Sequence, residues 1–143
     1  MQARNGELVD VLEGPGLVAT IDGDRAGLVS WLVDPSGARA EVRALAVAHD
    51  ARGEGVGRSL LGEAVRRLRE GGVMRAWLVT TNDNLAALGL YQSLGFELVA
   101  LRPGAVDEAR RTIKPSIPTV GEHGIPLRDE LELELDLNKG ESA

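Results

Sequence analysis

Cysteine is absent from the 143 residues, which excludes a disulfide framework, cysteine-ligated zinc, an iron-sulfur cluster and a thiol nucleophile. Histidine occurs only as His49 and His123, too few for a histidine-rich metal site, and no metal is expected. Positive charge is short: 16 Lys and Arg face 22 Asp and Glu, and the net charge of -6 has the wrong sign for generic binding to phosphate backbones. Nucleic acid is therefore not an expected partner. Charges interrupt every apolar run well before membrane-spanning length, and Met1 to Asp10 lacks the apolar core of a secretory leader. The expectation is a cytoplasmic protein without a membrane partner.

Hydrophobic residues make up 43% and charged residues 27%, enough apolar surface for a core and enough charge for solubility, and the length suits one domain over 1–143. Charge is unevenly spread: Arg39 to Arg75 holds eight Arg against five acids, whereas Asp129 to Glu141 holds six acids against Lys139. An anionic ligand would favour the middle of the chain. Glu7 to Leu12, Leu17 to Ile21, Ala26 to Val33 and Ala40 to Ala48 are apolar runs closed by Gly14-Pro15-Gly16, Asp22-Gly23-Asp24 and Asp34-Pro35-Ser36-Gly37. They predict a meander of four antiparallel strands. Val56, Leu60, Leu61, Ala64, Val65 and Leu68 recur at helical spacing before Gly71-Gly72, and Met74 to Thr80 then predicts a strand parallel to the fourth. Asn82 or Asp83 suits the N-cap of a second helix with Leu85, Leu88, Tyr91 and Leu94 on one stripe, ended by Gly95 before a strand from Phe96 to Leu101. Ala105 to Thr112 suits a short helix, and Leu131, Leu133, Leu135 and Leu137 alternate with acids as a half-buried strand. The fold class is α/β (α+β), with a mixed, mostly antiparallel sheet, a central parallel pair and flanking helices.

The chemistry begins at Arg52-Gly53-Glu54-Gly55-Val56-Gly57, between the fourth strand and the first helix. Glycines remove side chains that would keep a ligand from the backbone, and free amides with the dipole at a helix N-terminus favour an anion. Arg52 and Arg58 flank the loop, which suits phosphate or pyrophosphate. It lacks the Lys-Ser/Thr ending of a P-loop, and a GxGxxG register started at Gly53 would place Arg58 at the last glycine.

Arg52-x-x-Gly55-x-Gly57, after a strand ending Leu45-Ala46-Val47, resembles the coenzyme loop Q/R-x-x-G-x-G/A of the GNAT superfamily of N-acetyltransferases. Asn84-x-x-Ala87-x-x-x-Tyr91-x-x-x-Gly95-Phe96 resembles the pattern on that superfamily's next helix. Lys114-Pro115-Ser116-Ile117-Pro118 with Gly124-Ile125-Pro126-Leu127-Arg128-Asp129-Glu130 resembles a bacterial subgroup. The resemblance implies acetyl-coenzyme A as cosubstrate and an amine acceptor. It places the pyrophosphate on the amides of Gly53, Glu54, Gly55, Val56, Gly57 and Arg58. The pantetheine would lie along Leu45, Ala46 and Val47, where the parallel strands splay, and Asn84 would touch the coenzyme arm or serve only near the helix cap. Tyr91 would protonate the departing thiolate, or be a core aromatic, or both. Glu41, eleven residues before Arg52, matches a catalytic glutamate of the family and would act as general base, or be a surface charge at a strand edge. His49, His123 and the row Glu130, Glu132, Glu134 and Asp136 read as exposed loop and solvent-facing residues.

Members of the family usually place two helices between the first two strands, where this sequence has only Glu13 to Gly16. The expectation is a shortened acceptor region, with Pro103 to Arg128 as a proline-stiffened lid over the acceptor cleft, in one chain or across a homodimer. A noncatalytic acyl-coenzyme A binding or regulatory module is the alternative to an enzyme.

Overall fold

The computed structural model describes residues 2–4, 7–9 and 14–139. Among them are eight strands and three α-helices: β1 (Gln2–Arg4), β2 (Glu7–Val9), β3 (Gly16–Ile21), β4 (Asp24–Val33), β5 (Arg39–Val47), α1 (Val56–Glu70), β6 (Arg75–Thr81), α2 (Leu85–Ser93), β7 (Glu97–Arg102), α3 (Ala105–Thr112) and β8 (Glu130–Asp136). Six of the strands, β3 to β8, form an open mixed sheet, as the sequence led one to expect. The chain divides into two compact units, Val11–Leu78 with Leu135–Ala143, and Val79–Glu134 with Met1–Asp10.

In the first unit β3, β4 and β5 are an antiparallel meander. Asp22 and Gly23, with φ of 51° and 85°, make the two-residue turn between β3 and β4. Asp-Gly is favoured there because both residues tolerate positive φ, and a turn of that kind matches the right-handed twist of the strands. β5 then crosses through α1 to β6, its parallel neighbour. The helix buries Val56, Leu60, Leu61, Ala64, Val65 and Leu68, the stripe expected from spacing, and packs them on β4 and β5. At about 1.5–3 kcal/mol for each large apolar side chain, this face contributes roughly 10 kcal/mol before chain entropy is subtracted. The helix ends in paired bonds from Val73 N–H to Leu68 C=O at 3.0 Å and from Gly72 N–H to Arg69 C=O at 3.1 Å.

In the second unit α2 ends the same way. Gly95 N–H donates to Gln92 C=O and Phe96 N–H to Tyr91 C=O, both at 3.0 Å. That motif commonly carries an apolar contact between the residues now occupied by Tyr91 and Phe96, whose ring centroids lie 6.1 Å apart. The Tyr91-x-x-x-Gly95-Phe96 pattern is thus a helix stop as well as a family mark. β7 and β8 pair antiparallel, and α3 begins at Gly104, whose N–H donates to Asp129 Oδ1 at 2.9 Å.

Several expectations are corrected. Glu7–Val9 is not the first strand of the main meander but pairs with Gln2–Arg4 in a ladder of its own. The register Arg4↔Glu7 pairs segments close in sequence, a local ladder that costs less chain entropy to close than a longer-range pairing. The expected residues 10–12 and Glu13 lie outside the described residues. On α2 only Tyr91 of the proposed stripe is buried, and Leu85 is 50% exposed. The helix is apolar nearly all round, so spacing alone does not choose a face. The acidic row is not wholly solvent-facing: Glu130 is buried, and Arg102 donates through Nε to Glu130 at 2.7 Å and through Nη1 to Glu132 at 3.1 Å. Burial opposes the Arg102 charge, but these two carboxylates outweigh it and raise the guanidinium pKa.

Candidate functional site

The parallel ladder of β5 and β6 has the rungs Arg39↔Arg75, Ala40↔Ala76 and Glu41↔Trp77, and it stops there. β5 nevertheless runs on to Val47, paired with β4 on its other side through Val47↔Gly27. The backbone of β5 beyond Glu41, including half-buried Leu45, exposed Ala46 and half-buried Val47, is therefore open toward β6. A strand side that the ladder leaves presents N–H and C=O groups at strand spacing, suited to an extended amide-bearing chain.

Glu41 sits on the last rung. It is 6% exposed, and its Oε1 accepts from Arg43 Nε at 2.9 Å. The surface-charge alternative for Glu41 is thereby excluded: a position inside the sheet, between β4 and β6, shields it from solvent. Arg39, on the first rung, stacks its guanidinium 5.7 Å from the Trp77 ring centroid.

Past β5 the chain makes a short 3-10 turn at His49–Ala51, with His49 exposed, and reaches the glycine loop. Arg52, Gly53, Glu54 and Gly55 are all exposed. Gly53 and Gly55 have φ of 84° and 79°, a conformation that a side chain strains, and a Cβ on either would point into open space. Gly55 is the N-cap of α1 and supplies no side-chain cap, and the first turn holds no acid. Ser59 N–H is the first to be taken within the helix, by Gly55 C=O at 3.0 Å. The amides of Val56, Gly57 and Arg58 thus lie at the positive end of a 15-residue helix, and exposed Arg52 precedes that helix by four residues.

A residue that the sequence reading passed over positions this turn. A Cβ on Gly27 of β4 would come to 2.7 Å from Ala46 O, 3.0 Å from Val56 Cγ1 and 3.1 Å from Leu60 Cδ1. Its missing side chain lets the first turn of α1 settle on the sheet next to the open part of β5. The signal was present: a glycine within an apolar strand marks close approach.

The second unit carries the other family residues. Tyr91 is 8% exposed and packed on Phe96. Asn84 is the N-cap of α2 but makes no side-chain cap bond, and its Nδ2 donates to Thr80 Oγ1 at 3.3 Å. The expected caps, Asn82 and Asp83, are used elsewhere. Asn82 Oδ1 accepts from Arg128 N–H at 3.1 Å and Asp129 N–H at 3.0 Å, and its Nδ2 donates to Pro126 O at 2.9 Å. Asp83 accepts from Thr81 Oγ1 at 2.5 Å and from Glu122 N–H at 2.9 Å. Both side chains hold a small hairpin in which Gly121 N–H donates to Ile125 C=O at 2.8 Å and Leu127 N–H to Thr119 C=O at 3.0 Å. Arg110 on α3 donates to Ile117 O, Pro118 O and Leu127 O at 2.9, 2.6 and 2.8 Å. The 103–128 segment is thus a helix followed by a tied hairpin, with exposed His123 at its tip.

These features define an α/β protein with an uncapped, arginine-flanked helix N-terminus beside an open strand edge. A family model described as "Acetyltransferase (GNAT) family" matches residues 4–96, and the chain belongs to that family of transferases. It is 42% identical over 78 residues to YdhI of Bacillus subtilis, matching 54% of this chain and 48% of that protein. It is 34% identical over 128 residues to YxbD of the same organism, matching 90% of this chain and 77% of that one. The chain therefore spans about half the length of one of these relatives and three quarters of the other. A Bacillus subtilis acetyltransferase solved in complex with CoA superposes with a TM-score of 0.76 at 25% identity, covering 88% of this chain and 79% of that chain.

Proposed function

We propose that residues 1–143 act as one GNAT domain that transfers an acetyl group from acetyl-coenzyme A to a primary amine, by direct attack within a ternary complex. The observation that carries this reading is the α1 N-terminus: a helix start whose N-cap Gly55 makes no side-chain cap bond, two glycines at positive φ facing open space, and exposed Arg52 just ahead of them in the chain. That donor set fits a pyrophosphate, and the open β5 edge at Leu45, Ala46 and Val47 fits pantetheine amides. The bound CoA of the structural relative supports the same assignment.

In this reading Gly53, Glu54, Gly55, Val56, Gly57 and Arg58 hold the pyrophosphate through their backbone, and Asn84 adds a polar contact to the coenzyme arm. The thioester supplies an activated acetyl group. Glu41, on the last rung before the strands part, takes the proton that the amine must lose, directly or through a water. The amine nitrogen then forms a bond to the carbonyl carbon, the carbon-sulfur bond breaks, and Tyr91 donates its hydroxyl proton to the leaving sulfur. With no cysteine in the chain, no thiol is present to carry the acetyl group, which favours direct transfer over an acyl-enzyme. The tied 103–128 segment serves as a wall of the acceptor cleft, and the resemblance of Lys114–Pro118 and Gly124–Glu130 to a bacterial subgroup supports membership of it. The protein works in the cytoplasm.

The test combines coenzyme A titration with an amine and peptide screen, read by thiol release and product mass. Saturable coenzyme A binding with acetylated product from at least one amine supports the enzyme. Tight binding without turnover on any amine would instead identify a noncatalytic acyl-coenzyme A module, and absence of binding would overturn the site assignment.

A further inference from the structure

The geometry points to Asp83 as a positioning residue that fixes the 119–127 hairpin in advance as a rigid wall, with Glu122 and His123 as the side chains through which that wall selects the acceptor. The inference rests on the transfer reading above and adds which residues choose the amine and how they are held.

Asp83 is a buried carboxylate, 6% exposed, to which the transfer chemistry gives no task. Its two oxygens are divided between two segments. Oδ1 accepts from Thr81 Oγ1 at the end of β6, at 2.5 Å, and Oδ2 accepts from Glu122 N–H in the hairpin, at 2.9 Å. Among the described residues no Arg, Lys or His side chain is bonded to it. A carboxylate taken out of water with neutral donors alone is costly, and the structure it secures is the hairpin. The approach is close: a Cβ on Gly121 would fall 2.1 Å from Oδ2, so a glycine lets this backbone reach the carboxylate.

The residues on either side of Asp83 extend the hold. Asn82 bonds the far strand of the hairpin, through Pro126 O, Arg128 N–H and Asp129 N–H. Arg110 of α3 donates to backbone carbonyls at both of its ends. Asn84 starts α2 and, in the transfer reading, touches the coenzyme arm. One three-residue turn thus carries both the acceptor wall and a coenzyme contact. A segment tied at both ends and at its tip is set before any ligand arrives, and does not close as a lid.

What these backbone ties leave free is the side chains of the tip. Glu122 and His123 are exposed, and neither side chain is bonded among the described residues. His123 is held at φ 60° and ψ 20°, a left-handed conformation uncommon outside glycine, which fixes the direction in which the imidazole leaves the backbone. An ordered backbone whose carboxylate and imidazole are used by nothing within the chain is preorganised to bind. The carboxylate accepts only, and the imidazole accepts through one nitrogen. They select an amine that carries a hydrogen-bond donor or a positive charge beyond the reacting nitrogen.

Asp83→Asn and Asp83→Ala separate positioning from chemistry. Asparagine can set its oxygen toward Glu122 N–H and its NH2 toward the Thr81 hydroxyl, which turns to accept, so both bonds survive without the charge. Alanine supplies neither. The probes are a library of tripeptide amides with free α-amino groups and matched monoamines, amino alcohols and diamines, at limiting concentration, with product masses reporting kcat/KM. Asp83→Asn should keep the wild-type product profile within about threefold, whereas Asp83→Ala should raise KM for the preferred acceptors by roughly tenfold or more with coenzyme A affinity intact. His123→Ala and Glu122→Lys, at exposed positions, should reorder the profile. By amide exchange Glu122 and Leu127 should be protected without ligand, unchanged by coenzyme A, and roughly tenfold faster in Asp83→Ala. Asp83→Asn as impaired as Asp83→Ala would assign the carboxylate a chemical role and overturn the proposal, as would protection of the hairpin that arises only with coenzyme A. A wild-type protein that acetylates no probe overturns the transfer reading and the tip's role with it, whereas a product profile indifferent to both tip variants overturns the tip's role alone.

Discussion

Gly27→Ala adds a single methyl group, and its consequence is set by distances. The new carbon would lie 2.7 Å from Ala46 O, 3.0 Å from Val56 Cγ1 and 3.1 Å from Leu60 Cδ1. The Leu60 methyl can swing aside, but the Ala46 carbonyl belongs to the β4–β5 ladder and the Val56 side chain to the first turn of α1. Overpacking of this kind costs about 1–3 kcal/mol, offset by about 0.4–1 kcal/mol because alanine restricts the unfolded chain. A net loss of about 0.5–2 kcal/mol lowers Tm by roughly 2–8 °C in a chain of this size. Gly62→Ala is the matched control. It lies on the exposed side of the same helix with nothing within 4 Å of the added carbon, and it should gain about 0.5–1 kcal/mol. The same chemical change thus carries opposite signs at two glycines. Coenzyme A should separate them further, because only Gly27→Ala moves the first turn of α1 away from the β5 edge. A tenfold weaker affinity removes about 1.4 kcal/mol from the ligand-induced stabilisation at saturating coenzyme. Thermal unfolding of both variants with and without coenzyme A measures all of this. A Gly27→Ala protein as stable as Gly62→Ala would refute the close seating of α1 on β4.

Arg52→Glu should lower coenzyme A affinity by more than roughly tenfold, through lost and reversed charge beside the α1 amides, while an exposed position leaves Tm nearly unchanged; calorimetric titration checks it. Tyr91→Phe keeps the ring contact with Phe96 and removes the proton donor, so kcat should fall by roughly ten- to a thousandfold with coenzyme affinity intact; an unchanged kcat under chemistry-limited conditions would remove the acid role. Hydrogen bonds from Arg66 and then Arg67 hold the Glu63 carboxyl down to about 2 from 4.5. A carboxyl lowered on folding stabilises the protein above its unfolded pKa, and that contribution is lost as pH falls toward the folded value, so the Tm drop between pH 4.5 and 2 should be smaller in Glu63→Gln. Gly121→Ala would set a carbon 2.1 Å from Asp83 Oδ2, so the hairpin must shift, and amide exchange at Glu122 and Leu127 should accelerate by tenfold or more relative to wild type.

The order of strands and helices from β3 onward was legible because the signals are local. Six apolar residues at helical spacing can form only one stripe, and Asp22-Gly23 and Gly95 mark turns that few other residues adopt. The glycine loop was legible for the same reason, since a helix start without a capping side chain is a property of consecutive residues. What a residue does across the fold was not. Glu41 reads as an edge charge until β4 and β6 are placed on either side of it, and Gly27 reads as a weak spot in a strand until α1 lies against it. Asn82 and Asp83 have the chemistry of helix caps, but the nearby 119–129 backbone offered them amides whose bonding fixes a hairpin, and that choice depends on chain segments some 40 residues away. Sequence by itself determined which segments are helix, strand and anion loop, because those depend on neighbours along the chain. Only tertiary structure decided where the parallel ladder stops and which polar groups are buried, because pairing and burial depend on neighbours in space.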